Sequence, residues 1–209
     1  MTPIELKKSL TMILSEKLAD TGFVKKSVGN LIRKVEECEQ YLQFYFTRDR
    51  GLPGDQYSLS ITLSFRFAEV DQLTSDFLGE TYRAEFGTAA RPLYTMIPNG
   101  SVSRYRYCSD EPLEQFAEKI SEDFRDYATL FYNSFDTLCK LETYFEQEQE
   151  RGGTLHVVRT SPQGGRGCCI AAVYCVLKKW DRLWRFLEET DLLSCEQRER
   201  IEEFISNNS

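Results

Sequence analysis

Three of the seven cysteines fall in SPQGGRGCCIAAVYC, residues 161–175, behind a run of glycines, and no other stretch brings so many reactive residue types together. A glycine-rich turn that opens a helix presents backbone N–H groups at the positive end of the helix dipole, which suits a small anion. Gly164, Gly165, Arg166 and Gly167 are therefore the candidate anion-binding residues, with the arginine as the charged member. The pattern stops short of a nucleotide fingerprint. Gly165 and Gly167 match the first two glycines of G-x-G-x-x-G, but Ile170 holds the third place and no buried parallel strand precedes them. No Gly-Lys-Ser/Thr follows either, which excludes a Walker loop.

The thiols invite a second chemistry. Cys168 or Cys169 at a helix N-terminus would have a lowered pKa, and a Cys–His nucleophile would need His156, the one histidine in the chain. No Cys-x-x-Cys, Cys-x5-Arg or protease signature surrounds them, and buried cysteine is a common small core residue, so the pair reads as core. His156 has no histidine partner and the cysteines lack zinc spacing, so neither a metal nor another cofactor is expected. The acidic runs EEC (36–38), EDFRD (122–126) and EET (188–190) read as solvated faces. SRYRYC (103–108) alternates Arg and Tyr, as a single-strand stacking platform would, but equally as a strand with one aromatic face. The net charge of -7 favours the strand and excludes a broad nucleic-acid or anionic-membrane surface. It suits a protein partner with a basic surface, drawn in at long range.

These residues depend on the elements that carry them. The 209 residues, 41% hydrophobic and 28% charged, have an ordinary globular composition. Thr2, Pro3 and Glu5 spell the cap of a first helix, whose stripe is Leu6, Leu10, Ile13 and Lys17, widened by Leu14 and Leu18, with Gly22 to end it. Strands are expected at 28–35, 41–47 and 57–67. In the last, Tyr57, Leu59, Ile61, Leu63, Phe65 and Phe67 alternate with Ser58, Ser60, Thr62, Ser64 and Arg66, so one face is buried and the other polar. Residues 49–56 read as a loop, 68–79 as a short helix, and 92–107 as a hairpin about Pro98, Asn99 and Gly100.

From Ser109 the texture becomes helical. Ser109 or Asp110 is the expected cap of a helix with the face Leu113, Phe116, Ile120 and Phe124, and 134–150 forms a second helix. Residues 151–167 are loop-like, with a short strand at LHVV. One long helix is expected from Cys168 to Glu188, with Ile170, Val173, Tyr174, Leu177 and Trp184 along one buried side and Cys169, Ala172, Val176, Leu183 and Phe186 along another. Ser194 and Gln197 form a capping box for a last helix, with Ile201, Phe204 and Ile205 as its apolar positions. The fold class is α+β: an antiparallel sheet of about four or five strands, an N-terminal helix behind it, and a C-terminal set of about four helices. Residues 1–108 would hold the sheet and 109–209 the helices, packed as one compact unit. MTPIELKKSLTMILSEKLAD is no secretory signal, the apolar run Cys168–Leu177 is too short to cross a bilayer, and the cysteine count is odd. A cytoplasmic protein with reduced thiols is expected.

The first third also resembles a family of small bacterial domains of unknown function, with a leading helix, a Gly-Phe-x-Lys-Lys-like turn and antiparallel strands. Gly22, Phe23, Lys25 and Lys26 carry the likeness, which covers roughly residues 1–70, or to 108 at most. Such domains occur beside contact-toxin and other polymorphic-toxin loci. The resemblance therefore implies a toxin-immunity or protein-binding role, and it brings no catalytic residues with it. The alternative function is a small-ligand or enzymatic domain built on the 161–167 loop.

Overall fold

In a computed structural model that describes residues 2–48, 56–82, 87–148, 156–157 and 165–208, the first helix is set by its cap. Thr2 Oγ1 accepts from the Glu5 N–H at 3.3 Å while the Glu5 carboxylate accepts from the Thr2 N–H at 2.7 Å. From there α1 (Pro3–Lys17) buries Leu6, Leu10 and Leu14, and a single tight turn places Gly22 in the left-handed conformation at φ 82°. The chain then lays down β1 (Val24–Ser27), β2 (Asn30–Val35), β3 (Cys38–Thr47), β4 (Gln56–Phe67) and helix α2 (Ala68–Leu78). Three short strands follow, β5 (Ala89–Pro92), β6 (Arg106–Cys108) and β7 (His156–Val157). The remaining helices are α3 (Leu113–Asp123), α4 (Thr129–Asn133), α5 (Leu138–Glu148), α6 (Gly165–Val176), α7 (Trp180–Glu189) and α8 (Cys195–Asn208).

The fold is α+β with an antiparallel sheet, as its alternating and helical patterns require. It has seven described strands rather than about four or five. The additions are short: β1 shows no alternation because all four of its residues are exposed. Contacts group the chain into two units that do not follow the halves 1–108 and 109–209. Unit 1 is Met1–Ser64 with Arg91–Asn133, and unit 2 is Phe65–Ala90 with Ser134–Ser209.

Within unit 1, β1 and β2 form a hairpin whose turn residue Gly29 has φ 79°, and a Cβ there would lie 2.8 Å from the Phe44 carbonyl oxygen. Only glycine serves at that point. Leu31 stands opposite Leu42 and Arg33 opposite Gln40, on the face that α1 covers with Leu6, Leu10 and Leu14. Strand β4 follows its sequence pattern closely: Tyr57, Leu59, Ile61 and Leu63 are buried, Ser60 is exposed and Thr62 is half-buried. Ser64, on the polar row, is buried as well. The start of β4 pairs with β6, Tyr57 opposite Tyr107.

The expected hairpin at 92–107 does not form. Leu93–Met96 and Val102–Tyr105 are 3-10 turns, and only the bend at Pro98–Gly100 matches, with Asn99 at φ 58°. Two prolines without N–H groups, Pro92 and Pro98, leave no regular ladder to build there. Neither Ser109 nor Asp110 caps α3; Pro112 stands at that position and no side chain bonds the first turn. Leu113, Phe116, Ile120 and Phe124 are buried as expected, and a π-turn at Phe124–Ala128 carries α3 into α4.

Within unit 2, the end of β4 meets Thr88, whose N–H donates to the Phe65 carbonyl at 2.8 Å, and β5 continues to β7 through Ala89 opposite Val157. Helix α6 is buried on nearly every side, from Cys168 through Cys175, as a central helix must be. It does not run on to Glu188. Lys178 is left-handed at φ 55°, and the N–H groups of Lys178 and Lys179 close back on Cys175 and Tyr174. The break re-aims α7, so Trp184 is not on the buried side: Leu183, Phe186 and Leu187 point inward instead. Ser194 and Gln197 cap α8 reciprocally, and Ile201 and Ile205 are its buried positions.

Candidate functional site

The glycine-rich segment enters α6 as part of the interior. Gly165 and Gly167 are buried, while Arg166 is half-buried with its guanidinium 5.6 Å over the Phe145 ring. Gly164 lies outside the described residues. A Cβ on Gly167 would stand 2.7 Å from Leu193 Cδ2 and 2.8 Å from the Leu192 carbonyl oxygen. That glycine therefore admits the segment before α8 onto the first turn of α6. His156 is on β7, opposite Ala90.

The thiols behind it are insulated. Cys168 and Cys169 are fully buried, and none of the seven cysteines is in a disulfide. Burial pushes the Cys168 thiol from its ordinary 9.0 up to about 12 and raises Cys169 further. Cys175, nearly two turns on, is pushed up to about 12 by the same cause. The rise at Cys168 corresponds to about 4 kcal/mol against the thiolate, whereas a helix N-terminus favours an anion by about 0.3–1 kcal/mol. Desolvation wins, and the thiols stay protonated at neutral pH.

Acid–base candidates emerge where the sequence reading placed none. Asp71, Asp123 and Glu142 are the buried acids among the described residues. Asp123 belongs to EDFRD, read as a solvated face, but Arg104 grips it through Nε at 2.8 Å and Nη2 at 2.5 Å, and the Tyr105 hydroxyl donates to it at 2.9 Å. Of the Arg–Tyr alternation of 103–108, Arg104 and Tyr105 bind Asp123 and Tyr107 is buried in β6, while Arg106 stays exposed. Glu142 on α5 takes the Lys179 ammonium on both oxygens, at 2.7 and 2.5 Å, and Arg182 at 3.0 Å. Asp71 on α2 accepts from the Thr88 hydroxyl at 2.6 Å and has Arg66 Nε 3.6 Å away.

A signal for two of them was present. Asp123 lies three residues after Ile120, and Glu142 four after Leu138 and three before Phe145, so each falls on the apolar row of its own helix. In each case the acceptor is occupied by the chain's own donors and ties one element to another.

The outer surface of α7 and α8 differs. Trp180 is half-buried and Trp184 is 42% exposed. All eight Asp and Glu residues of 180–208 are exposed. Three of the four arginines there are engaged: Arg182 with Glu142 and Glu146, Arg198 with the carbonyls of Leu187 and Thr190, and Arg200 with the carbonyl of Phe77. Among the described residues no group of three His, Cys, Asp or Glu could hold a metal ion, and no helix is long and apolar enough to cross a membrane.

No protein-family model matches the chain, and neither a curated protein nor a solved structure does. What the chain can do is therefore read from its own residues.

Proposed function

We propose that the protein acts by binding another protein rather than by catalysis, in the manner of an immunity protein that covers a toxin's site. The observation that carries this reading is where the reactive groups are spent. Cys168, Cys169 and Cys175 are protonated core residues, and Asp71, Asp123 and Glu142 hold internal donors. Charge supports the same reading. Unit 2 contains 12 Lys and Arg against 18 Asp and Glu, and unit 1 contains 14 against 15, so the negative charge is concentrated in unit 2. A basic partner would be steered toward such a surface and a nucleic acid away from it.

The test is genetic and then physical. A gene for a basic toxin domain beside this one, and growth rescue when the two are expressed together, are the expected results, with a complex recovered from the purified pair. Turnover of a small substrate by the purified protein, from a gene set among metabolic enzymes, would overturn the proposal.

A further inference from the structure

Both tryptophans of the chain stand on α7, four residues apart, and neither is buried. An indole left in water forgoes one of the largest stabilising burials a side chain offers. Tryptophan is also the residue most enriched where protein interfaces concentrate their energy. The stripe is not purely apolar. Trp180, Trp184 and Glu188 recur every four residues, and Asp181 sits three before Trp184, so indoles and carboxylates alternate along one face. Asp181 and Glu188 are exposed, and neither has a hydrogen bond or ion pair among the described residues. Arg182, one position on, turns the other way to Glu142 and Glu146. Lys178 and Arg185 flank the stripe, and around them stand the exposed acids of α7 and α8.

We propose that this stripe is the docking surface, and that its occupant is an arginine-bearing segment of a basic protein partner. Guanidinium planes stack on indole faces while their N–H groups donate to carboxylates, and the alternation of Trp180, Asp181, Trp184 and Glu188 offers both contacts in register. A second copy of the chain fits poorly, because two stripes with the same acids would repel. The inference rests on the protein-binding reading above and adds the chemistry of the contact.

Because no other tryptophan is present, selectively excited tryptophan emission reports α7 alone. The protein is titrated with an amphipathic Arg/Leu peptide and with its Lys/Leu and Glu/Leu counterparts, at low and high salt. A saturable blue shift is expected with the Arg peptide, weaker with Lys, absent with Glu, and reduced by salt. Trp184→Ala and the double change Asp181→Asn with Glu188→Gln should each weaken binding by about tenfold or more, with the melting temperature nearly unchanged. No saturable shift with the Arg peptide, or affinity untouched in both variants, would overturn the stripe. Growth rescue separates the two ideas. Full rescue by the variants removes the stripe and keeps the protein-binding role, whereas no rescue by the unaltered chain removes the role itself.

Discussion

Arg104 closes on Asp123 with two parallel hydrogen bonds, and Tyr105 completes the carboxylate from the adjacent position. Asp123 is the last residue of α3, so the pair pins the 3-10 turn at 102–105 to the helix just before its π-turn. Asp123→Ala leaves the half-buried Arg104 and the buried Tyr105 hydroxyl without their partner. The expected loss is about 3 kcal/mol, read from urea unfolding. A change within experimental scatter would mean that solvent replaces the carboxylate at no cost.

Gly167 tests whether the glycine run exists for a ligand or for packing. Gly167→Ala should destabilise by about 1–3 kcal/mol, because the added methyl meets both Leu193 and the Leu192 backbone. Arg166→Ala should cost about 1 kcal/mol or less, the worth of its stacking on Phe145. Equal costs for the two would contradict the packing role of the glycine.

Neighbouring aromatics on α7 should respond in opposite ways. Phe186 is buried, and Phe186→Ala is expected to cost about 3–5 kcal/mol. Trp184→Ala, on the exposed side, should cost about 1 kcal/mol or less. Thermal melts of the two variants decide whether the break at Lys178 sets the facing of α7 as described.

Alkaline pH should loosen unit 2. The folded state raises the thiols of Cys168 and Cys175 above their ordinary 9.0, to about 12, so above pH 9 it binds more protons than the unfolded chain. Stability from these groups is therefore complete below about pH 9 and falls as pH rises toward 12, by about 1.4 kcal/mol per pH unit for each thiol. Cys168→Ala should flatten that slope. An unchanged slope would show that Cys168 ionises freely in the folded protein.

Local chemistry made much of this legible. The Thr2–Glu5 and Ser194–Gln197 boxes, the alternation of β4 and the stripe of α3 each rest on residues a few positions apart, and each appears where the pattern puts it. The misreadings at the buried acids and at the glycine run involve partners distant in sequence. Asp123 looked like a member of a polar run, and Glu142 carried no mark of its partner within its helix, because their counter-charges, Arg104 and Lys179, lie 19 and 37 residues away. The break at Lys178 was hidden because its flanks keep helical spacing while Lys179 is drawn to Glu142. Of the candidate anion site, the sequence showed a turn before a helix, but the reason for Gly167 lies in Leu192 and Leu193, which no local pattern connects to it.

The chain crosses between its two units three times, after Ser64, after Ala90 and after Asn133. During synthesis this imposes an order. Unit 1 lacks part of its own interior until residue 133 has left the ribosome, by which time the whole of α2 is already made and waiting for α6. Unit 2 closes only when the last helices arrive. Both units thus join segments far apart in sequence, which slows folding and leaves apolar surface open on the nascent chain. A truncation at residue 108 would remove neither unit cleanly and would leave both unfinished.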